Sequence, residues 1–503
     1  MKALLVSPRL PLSFWNFQSV LKIIGKKAVY IPLGLITAAA LMPRKWDLKL
    51  VDMNAQRLTD EQILWADIVF AGAMIVQKAS LREVVDRAHG LGKKVAVGGP
   101  LFHHGVDREF SDIDFRVLGE AEITLPRFIR DLASGTLAPL YRSDEKCDIR
   151  RTPIPRWDLL DMRLYASMSV QFSRGCPYRC EFCDIPMLQG HRFRSKTAAQ
   201  VILELSALYE AGWRGRIFVA DDNFIGQRRR VKALLTKIAA WQESHGRPFV
   251  FTTEASIDLA GDDELMALMN DAGFKGVFIG LETPDNETLK QCGKHQNSRV
   301  NLLQAVRTIQ ANGLKVSGGF IVGFDNDKED IFDRQIRFIQ ESGIVTAMIG
   351  ILYALPGTRL YRRLKKEGRL INATCTGSNT DGQITFMPKM GAEALASGYR
   401  KVIDHIYSPR GYHERILRFL ENYRPPRRRP LNRKDVAAFL RSVWYVGILN
   451  GTGSRKFYWR AVFYALFFKQ RCFAEILESA VFAYHFQMQV QRILAEPPRE
   501  ILK

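Results

Sequence analysis

Short apolar runs alternate with amphipathic stretches along the first quarter of the chain. Runs typical of buried strands occupy residues 2–6, 49–52, 66–72, 95–99 and 115–120. Helical spacing fills residues 32–43 and 80–91 between them. This alternation predicts a parallel sheet covered on both faces, with ligand-binding loops at the carboxyl ends of its strands. We therefore expect a Rossmann-like, doubly wound α/β domain over residues 1–140.

The same alternation of strand and helix resumes further along the chain. Strand patterns cover residues 168–172, 216–220, 249–253, 276–280, 316–320 and 347–353, and helical patterns cover 198–212 and 262–272. These six units are fewer than the eight of a complete TIM barrel. We expect a partial barrel over residues 166–375, joined to the first domain by an extended, proline-rich linker at 141–165.

Helical patterns replace this alternation after residue 388. They cover residues 393–407, 412–423, 436–449, 455–468 and 472–493, and a basic, proline-rich hinge lies at 424–430. Basic residues beside aromatic helical faces suit a membrane interface. A helical bundle that packs on itself or on the barrel is the alternative, and both interpretations stay open. The sequence thus predicts a mostly helical region over residues 376–503.

Composition narrows the class of protein. The chain is 47% hydrophobic and 25% charged, as in folded globular proteins. We find no 20-residue uncharged apolar run and no signal peptide with a cleavage site. Seven cysteines, an odd number with three in one cluster, argue for a reducing compartment. We expect a cytoplasmic protein.

The net charge of +21 calls for a partner or for a strongly solvated surface. Residues 401–503 carry 19 Lys and Arg against 8 Asp and Glu, which is about half of the excess. An anionic membrane surface, a nucleic acid and a merely solvated basic surface each account for it. Single-stranded nucleic acids bind aromatic residues and arginine, but the chain has no RNA-binding signature. Of the specific partners, we therefore favour a membrane surface, contacted peripherally through the C-terminal region.

Three cysteines stand close together just after the first strand of the partial barrel. Cys176, Cys180 and Cys183 form the pattern C-x3-C-x2-C. Thiolates packed this closely suit zinc or an iron–sulfur cluster. A structural zinc site needs a fourth Cys or His at short spacing, and His191 is the one candidate within reach. A 4Fe–4S cluster with three thiolates instead leaves one iron open for a ligand, and we favour that interpretation over zinc and over simple packing.

Acidic residues follow successive strands of the partial barrel. Asp221, Asp222, Glu254 and Glu282 each come at or just past the end of an apolar strand, and this end is the chemical face of barrels. Helix N-capping explains any one of them. Four acids at three neighbouring strand ends make a functional role more attractive.

The cysteine motif resembles that of the radical S-adenosylmethionine (SAM) superfamily. The wider pattern is similar to one family, the cobalamin-domain radical SAM proteins with an extra C-terminal region, which includes methylases of hopanoid ring carbons. The resemblance rests on residues 73–77, 173–184, 221–224, 254–256, 278–284 and 354–358. It implies an open six-stranded (β/α)6 barrel behind the Rossmann-like domain.

The resemblance also implies the ligands of the barrel. Cys176, Cys180 and Cys183 would hold the 4Fe–4S cluster, whose open iron is chelated by SAM. Further residues would contact SAM: Phe182 beside the adenine, Asp222 at the amino group, Glu254 and Glu282 at the ribose and carboxylate, and Gly319 where the backbone comes close.

In the first domain the resemblance implies cobalamin, beside Ala73 and Met74 and against the glycine pair Gly98 and Gly99. Glycine removes the Cβ obstacle to close approach. Cobalamin domains of the methionine-synthase type carry D-x-H-x-x-G after the first strand, whereas residues 7–12 here read SPRLPL. Cobalt would lack that histidine, and we interpret His103 and His104 as loop residues.

The reaction implied is methyl transfer to an unactivated carbon of an apolar substrate, a lipid being one such class. One SAM would be cleaved to the 5′-deoxyadenosyl radical, and a second would supply the methyl group through cobalamin. Ring or carbon–carbon bond formation without methyl transfer is the alternative. Either reaction needs an electron donor of flavodoxin or ferredoxin type. The remaining cysteines, Cys147, Cys292, Cys375 and Cys472, are scattered and are expected to be incidental.

Overall fold

A computed structural model describes residues 1–371, 376–425, 433–449 and 453–495. It contains two six-stranded parallel sheets followed by helices. The predicted α/β class, with a Rossmann-like sheet, an open barrel and a helical C-terminal region, is confirmed. Cys375 lies outside the described residues.

The first sheet has the strand order β2-β1-β3-β4-β5-β6 and is parallel throughout. Its strands are β1 Lys2–Ser7, β2 Asp47–Asp52, β3 Ile68–Gly72, β4 Lys94–Gly98, β5 Phe115–Leu118 and β6 Leu140–Arg142. Its helices are α1 Gln18–Ile24, α2 Leu33–Ala39, α3 Asp60–Trp65, α4 Lys78–Gly90 and α5 Ala121–Ser134. Strand β6 was missed, because residues 141 and 142 were assigned to the linker. Its three residues lack the long apolar run by which the other strands were recognised.

The second sheet has the order β14-β13-β12-β11-β10-β7 and leaves a gap between β14 and β7. Its strands are β7 Ser167–Val170, β10 Gly215–Val219, β11 Phe249–Glu254, β12 Phe274–Glu282, β13 Lys315–Val322 and β14 Ala347–Ile351. A short antiparallel hairpin, β8 Ser173–Arg174 with β9 Arg194–Ser195, flanks the cysteine loop. The sheet is the expected open six-stranded barrel.

The helices of this domain mostly cover the outside of the barrel, whereas the short ones at 185–188 and 295–298 lie near the carboxyl ends of its strands. The helices are α6 Ile185–Leu188, α7 Ala198–Glu210, α8 Arg228–Ser244, α9 Asp263–Ala272, α10 Asn286–Gln291, α11 His295–Ser298, α12 Leu302–Ala311, α13 Ile331–Ser342 and α14 Arg359–Lys366. Along β10, Ile217 and Val219 are buried in the core that the sheet forms with these helices. Phe218 between them faces the opposite side, the lumen of the barrel, because side chains alternate along a strand.

The C-terminal region closes the barrel at the beginning of its strands. Its helices are α15 Ala392–Tyr407, α16 Pro409–Asn422, α17 Arg433–Ser442, α18 Ser454–Phe467 and α19 Phe473–Ala495, with a π-helical segment at Val443–Ile448. Glu478 of α19 is ion-paired with Arg216 of β10 at 2.5 Å and with Lys315 of β13. Because both cations lie within the first two residues of their strands, α19 covers this end and leaves the carboxyl ends for chemistry.

The Glu478 contact gives a pH-dependent prediction. Burial alone would raise the pKa of Glu478, but Arg216 and Lys315 outweigh burial and lower it to about 2. A lowered carboxyl pKa stabilises the fold above the unfolded value of 4.5, and this stabilisation is lost as the pH falls toward 2. The shift corresponds to about 3 kcal/mol. We expect Glu478→Gln to lower the thermal midpoint clearly at about pH 7 and much less at about pH 3. An equal loss at both pH values would contradict this account.

Candidate active site

The first acids past β10 hold the entrance of the cysteine loop. The Asp221 carboxylate accepts hydrogen bonds from the Phe172 N–H at 2.8 Å and from the Ser173 hydroxyl at 2.5 Å. Burial raises the pKa of Asp221 to about 7. Asp222 accepts from the Gly175 N–H at 2.9 Å. Asp221 is thus a structural clamp, and Asp222 lies where the loop that bears the cysteines begins.

Two arginines of the β8–β9 hairpin bind this loop to the first domain. Arg174 pairs with Glu122 at 2.7 Å and Arg194 with Glu120 at 2.6 Å, and all four side chains are largely buried. Burial alone would raise the pKa of each glutamate, but the arginines outweigh burial and lower it. Both glutamates follow β5, so the carboxyl end of the first sheet is fixed against the cysteine loop.

The cysteine loop presents three half-buried thiols, Cys176, Cys180 and Cys183. Burial raises the pKa of each thiol, whereas the positive charge of Lys294 lowers the pKa of all three. Thiols must lose their protons to bind iron, so this lysine favours the metal-binding form. Within the ranges that the structure describes, no three His, Cys, Asp or Glu side chains converge on the position of a single metal ion.

Lys294 is a functional candidate that sequence reasoning missed. It is ion-paired with Glu282, the last residue of β12, and both side chains are buried. Burial alone would lower the pKa of Lys294, but the charges of Glu282 and Cys180 outweigh burial and raise it. The lysine thus stays charged between Glu282 and the thiols.

The backbone around Glu282 is held in an uncommon conformation. Glu282 has a φ of 65°, in the left-handed region, and the pairing of β12 with β13 shifts register just before it. The Asn297 amide donates to the carbonyls of Gly280 and Leu281 at 3.0 and 3.1 Å, and Gln335 donates to the carbonyl of Glu282 at 3.0 Å. Strain of this kind persists where surrounding contacts fix it, and it is frequent at functional sites.

Glu254 lies at the neighbouring strand end, on β11. Burial, followed by the negative charge of Asp222, raises its pKa to about 7. The side chain is half-buried, and among the described residues none donates a hydrogen bond to its carboxylate. This acid therefore has capacity for a donor from a bound molecule.

The residues predicted to contact SAM fall into three groups. Asp222, Glu254 and Glu282 come together at the ends of β10, β11 and β12, beside the cysteine loop. Phe182 packs against Phe324, which follows β13, with ring centroids 5.9 Å apart. Gly319 faces Phe278, and a Cβ there would lie 2.9 Å from that ring. Their contacts with SAM stay predictions.

The residues predicted to contact cobalamin lie at the ends of β3 and β4. Ala73 is buried, whereas Met74 is 44% exposed. Gly99 has a φ of 96°, and a Cβ there would lie 2.7 Å from the Ala73 carbonyl. The glycine therefore accommodates a neighbouring loop, which was not foreseen, and its approach to cobalamin stays a prediction. His104 is already engaged, 3.6 Å from Asp184 and 3.4 Å from the Pro356 carbonyl.

The loops after β3, β4 and β5 all contact the carboxyl end of the barrel. Glu120 and His104 do so as described, and a Cβ on Gly377 would lie 2.3 Å from Ile75. The two sheets therefore direct their carboxyl ends at one shared region. Three thiols beside a buried cation, and carboxylates with spare capacity, fit a 4Fe–4S cluster with SAM in that region. Met74, just after β3, leaves exposed apolar surface that fits cobalamin, and residues 7–12 offer cobalt no histidine.

The other described cysteines do not belong to the three-thiol cluster, although Cys147 and Cys292 lie close to the loop that bears it. Cys147, Cys292 and Cys472 are buried. The carbonyl of Cys292 accepts from the Glu181 N–H at 2.8 Å, so its segment supports the cysteine loop from behind. A cavity of about 460 Å³ opens there, and its lining includes Arg179, Lys290 and Arg359 together with the acidic Glu181 and neutral residues. The expected electron donor stays a prediction.

Comparison with known proteins agrees with this geometry. Residues 170–339 match the radical SAM superfamily, and residues 358–497 match a domain of unknown function, DUF4070. The chain is 41% identical to the uncharacterized methyltransferase sll1242 of Synechocystis sp. over 100% of this chain and 94% of that protein. It is 34% identical to the hopanoid C-2 methylase of Rhodopseudomonas palustris over 89% of this chain and 86% of that protein.

Among solved structures, the radical SAM methyltransferase TsrM from Kitasatospora setae, with cobalamin and a [4Fe-4S] cluster bound, has the same fold. The TM-score is 0.63 at 13% identity, covering 98% of this chain and 100% of that chain. The fold and the cysteine site define a radical SAM enzyme. The chain belongs to the cobalamin-domain radical SAM methyltransferase family that includes the hopanoid methylases.

Two expectations are thereby confirmed at the level of the family: the protein is an enzyme, and its cofactors are a 4Fe–4S cluster, SAM and cobalamin. Within the described part of the chain, no helix has the length and apolar character needed to cross a membrane.

Proposed function

We propose that the protein transfers a methyl group from SAM to an unactivated carbon of an apolar lipid at a membrane surface. The observation that carries the substrate class is an aromatic lining of the barrel lumen. Trp15 meets Phe278 of β12 with ring centroids 5.2 Å apart, and Tyr30 meets Phe218 of β10 at 5.1 Å. Trp15 and Tyr30 nevertheless remain 43% and 45% exposed.

These four aromatic rings suit an apolar ligand. Half-exposed aromatic rings inside a fold leave apolar surface that a bound hydrocarbon can cover, at about 25 cal/mol per Å². Serine and glycine occupy other inward positions of the strands, among them Ser169, Ser317 and Gly319. The lumen is therefore wide as well as apolar, and its polar groups concentrate at the strand ends.

The polar groups suit the cofactors. Cys176, Cys180 and Cys183 would hold the cluster, and Asp222, Glu254 and Glu282 would bind the charged and hydroxyl groups of SAM. When bound, the cluster with SAM supplies hydrogen-atom abstraction, and cobalamin supplies a methyl group. The Glu282–Lys294 pair fixes the end of β12, where SAM would bind. The aromatic rings of the lumen exclude water from the substrate. Ala73, Met74, Gly98 and Gly99 would lie against cobalamin.

The relatives favour the same substrate class. The hopanoid C-2 methylase is named for methylation of a lipid and matches over 89% of this chain. A polycyclic hydrocarbon of that kind would pack against flat aromatic rings without needing a polar partner. We therefore propose a hopanoid-like lipid as the first substrate to test.

The test uses anaerobically reconstituted full-length protein with SAM, a strong reductant and a pentacyclic triterpenoid. 5′-Deoxyadenosine, S-adenosylhomocysteine and the methylated lipid are measured by mass spectrometry. We expect all three products. Deoxyadenosine with a modified lipid but without S-adenosylhomocysteine would instead favour ring formation, and an unmodified lipid would overturn this substrate class.

Trp15→Ala tests the role of the lumen. Removing the ring should lower lipid methylation at least about tenfold, since a buried aromatic contact contributes roughly 1.5–3 kcal/mol. SAM cleavage without lipid should stay unchanged. Trp65→Ala is the matched control, because Trp65 lies on α3 of the first domain. Equal methylation by wild type and Trp15→Ala would contradict the proposed lining.

A further inference from the structure

The C-terminal helices leave a large apolar face uncovered. Isolated exposed apolar side chains are normal on protein surfaces, but contiguous ones mark interaction sites. Phe467 and Phe468 at the end of α18 are 72% and 75% exposed, and Phe463 is 53% exposed. Leu440, Trp444 and Leu449, around the π-helical segment, are each more than half exposed. These aromatic and aliphatic side chains lie within one stretch of about 30 residues.

The exposed rings on α18 form one continuous stripe. Tyr458, Ala461, Val462 and Ala465 of this helix are buried. Trp459, Phe463 and Phe467 are spaced four residues apart and share another face. Their rings follow one another with centroids 6.0 and 6.4 Å apart.

The stripe continues onto the π-helical segment. The Trp459 indole donates a hydrogen bond to the Gly447 carbonyl at 3.1 Å. Arg455 donates to the Ile448 carbonyl, and Ile448 is itself 45% exposed. The apolar face therefore spans two segments of the chain and is wider than a single helix.

The stretch of chain that carries this face has formal charges of one sign. Residues 436–474 contain six Lys and Arg and no Asp or Glu. Arg455, Lys456 and Arg460 are exposed on α18 itself. Cations beside aromatic and aliphatic side chains are the pattern of helices that lie in the headgroup layer of an anionic bilayer. A second copy of the chain would bring like charges together, so the charge disfavours self-association through this face.

We propose that the face formed by α18 and the π-helical segment, with Phe463, Phe467 and Phe468 as its most exposed rings, seats the protein on an anionic lipid bilayer. The rings enter the headgroup layer, and Lys456 and Arg460 contact lipid phosphates. This inference deepens the proposed function and rests in part on its lipid substrate. Helix α19, which packs on α18, covers the beginning of the barrel strands, so contact with the bilayer leaves the cysteine loop uncovered.

The experiment is flotation of full-length protein with vesicles of phosphatidylethanolamine and phosphatidylglycerol, compared with vesicles of phosphatidylcholine. Wild type should float with the anionic vesicles, and less so at high salt. Phe463→Ser/Phe467→Ser/Phe468→Ser should reduce the floating fraction at least about tenfold. Lys456→Glu/Arg460→Glu should reduce binding to anionic vesicles selectively.

Two control variants make comparable changes on exposed surfaces outside this face. Leu203 of α7 is 58% exposed, so Leu203→Ser removes an exposed apolar side chain outside the face. Lys365→Glu/Lys366→Glu reverses two exposed charges on α14. Both controls should float as wild type does.

Three results would overturn the inference: no flotation of wild type, equal flotation of the triple variant, or a dimer in light scattering that the triple variant dissociates. Flotation needs no turnover, so it can fail while lipid methylation in detergent succeeds, and the reverse holds as well. The membrane surface and the proposed function are therefore tested separately.

Discussion

Replacing any one of Cys176, Cys180 or Cys183 by alanine should reduce bound iron and 5′-deoxyadenosine formation to background. A cluster with three protein thiolates and one open iron has no spare ligand, so losing one thiolate removes the position at which SAM is held. The measurements are iron and sulfide content after anaerobic reconstitution, and deoxyadenosine by mass spectrometry.

Cys292→Ala is the control for these three variants. Cys292 is 3% exposed, and its segment packs directly behind the cysteine loop. Its loss should lower the thermal midpoint slightly, because a small buried side chain is removed, and should leave the iron content unchanged. If Cys292→Ala also lost its cluster, or if one of the three loop variants kept it, the assignment of ligands would be wrong.

Local signals in the sequence predicted much of this site. The cysteine spacing and the apolar strand patterns each depend on residues close together in the chain, and the open six-stranded barrel agrees with them. Acids at the ends of strands indicated the chemical face. They did not distinguish the role of Asp221 from that of Asp222 and Glu254. Asp221 accepts hydrogen bonds from the Phe172 N–H and the Ser173 hydroxyl, whereas Asp222 and Glu254 keep capacity for a ligand.

Contacts between distant segments had no such signal. Arg174 and Glu122 are 52 residues apart, and Lys315 and Glu478 are 163 apart. Gly99 is predicted to let cobalamin come close, and that contact stays a prediction; the neighbour that the structure shows beside it is the backbone of Ala73. A glycine in the sequence indicates that another group approaches the backbone closely, but it does not indicate whether that group is a ligand or another part of the chain. Lys294 was missed because lysines are almost always exposed, so nothing in its sequence context marks it as buried.

Lys294→Met should destabilise the fold and shift the cluster together. The change leaves the Glu282 carboxylate buried without its partner, and breaking a buried pair in this way costs about 3–5 kcal/mol. It also removes a positive charge that acts on all three thiols, so the oxidised cluster should be harder to reduce. Thermal unfolding measures the first effect, and a redox titration followed by electron paramagnetic resonance measures the second.

Two further variants separate the charge from simple damage to the fold. Lys290→Met removes a lysine from the same segment, but Lys290 pairs with Glu287 at the surface, so both readouts should stay near wild type. Lys294→Met/Glu282→Gln removes the unpaired carboxylate and should recover much of the stability, since replacing both partners of a buried pair is often nearly neutral. We expect Lys294→Met and this double variant both to bind SAM more weakly than wild type, because Glu282 at the end of β12 is a predicted SAM contact. If the double variant recovered both stability and affinity for SAM, the pair would only support the fold. If it recovered stability alone, the pair would be part of the SAM site.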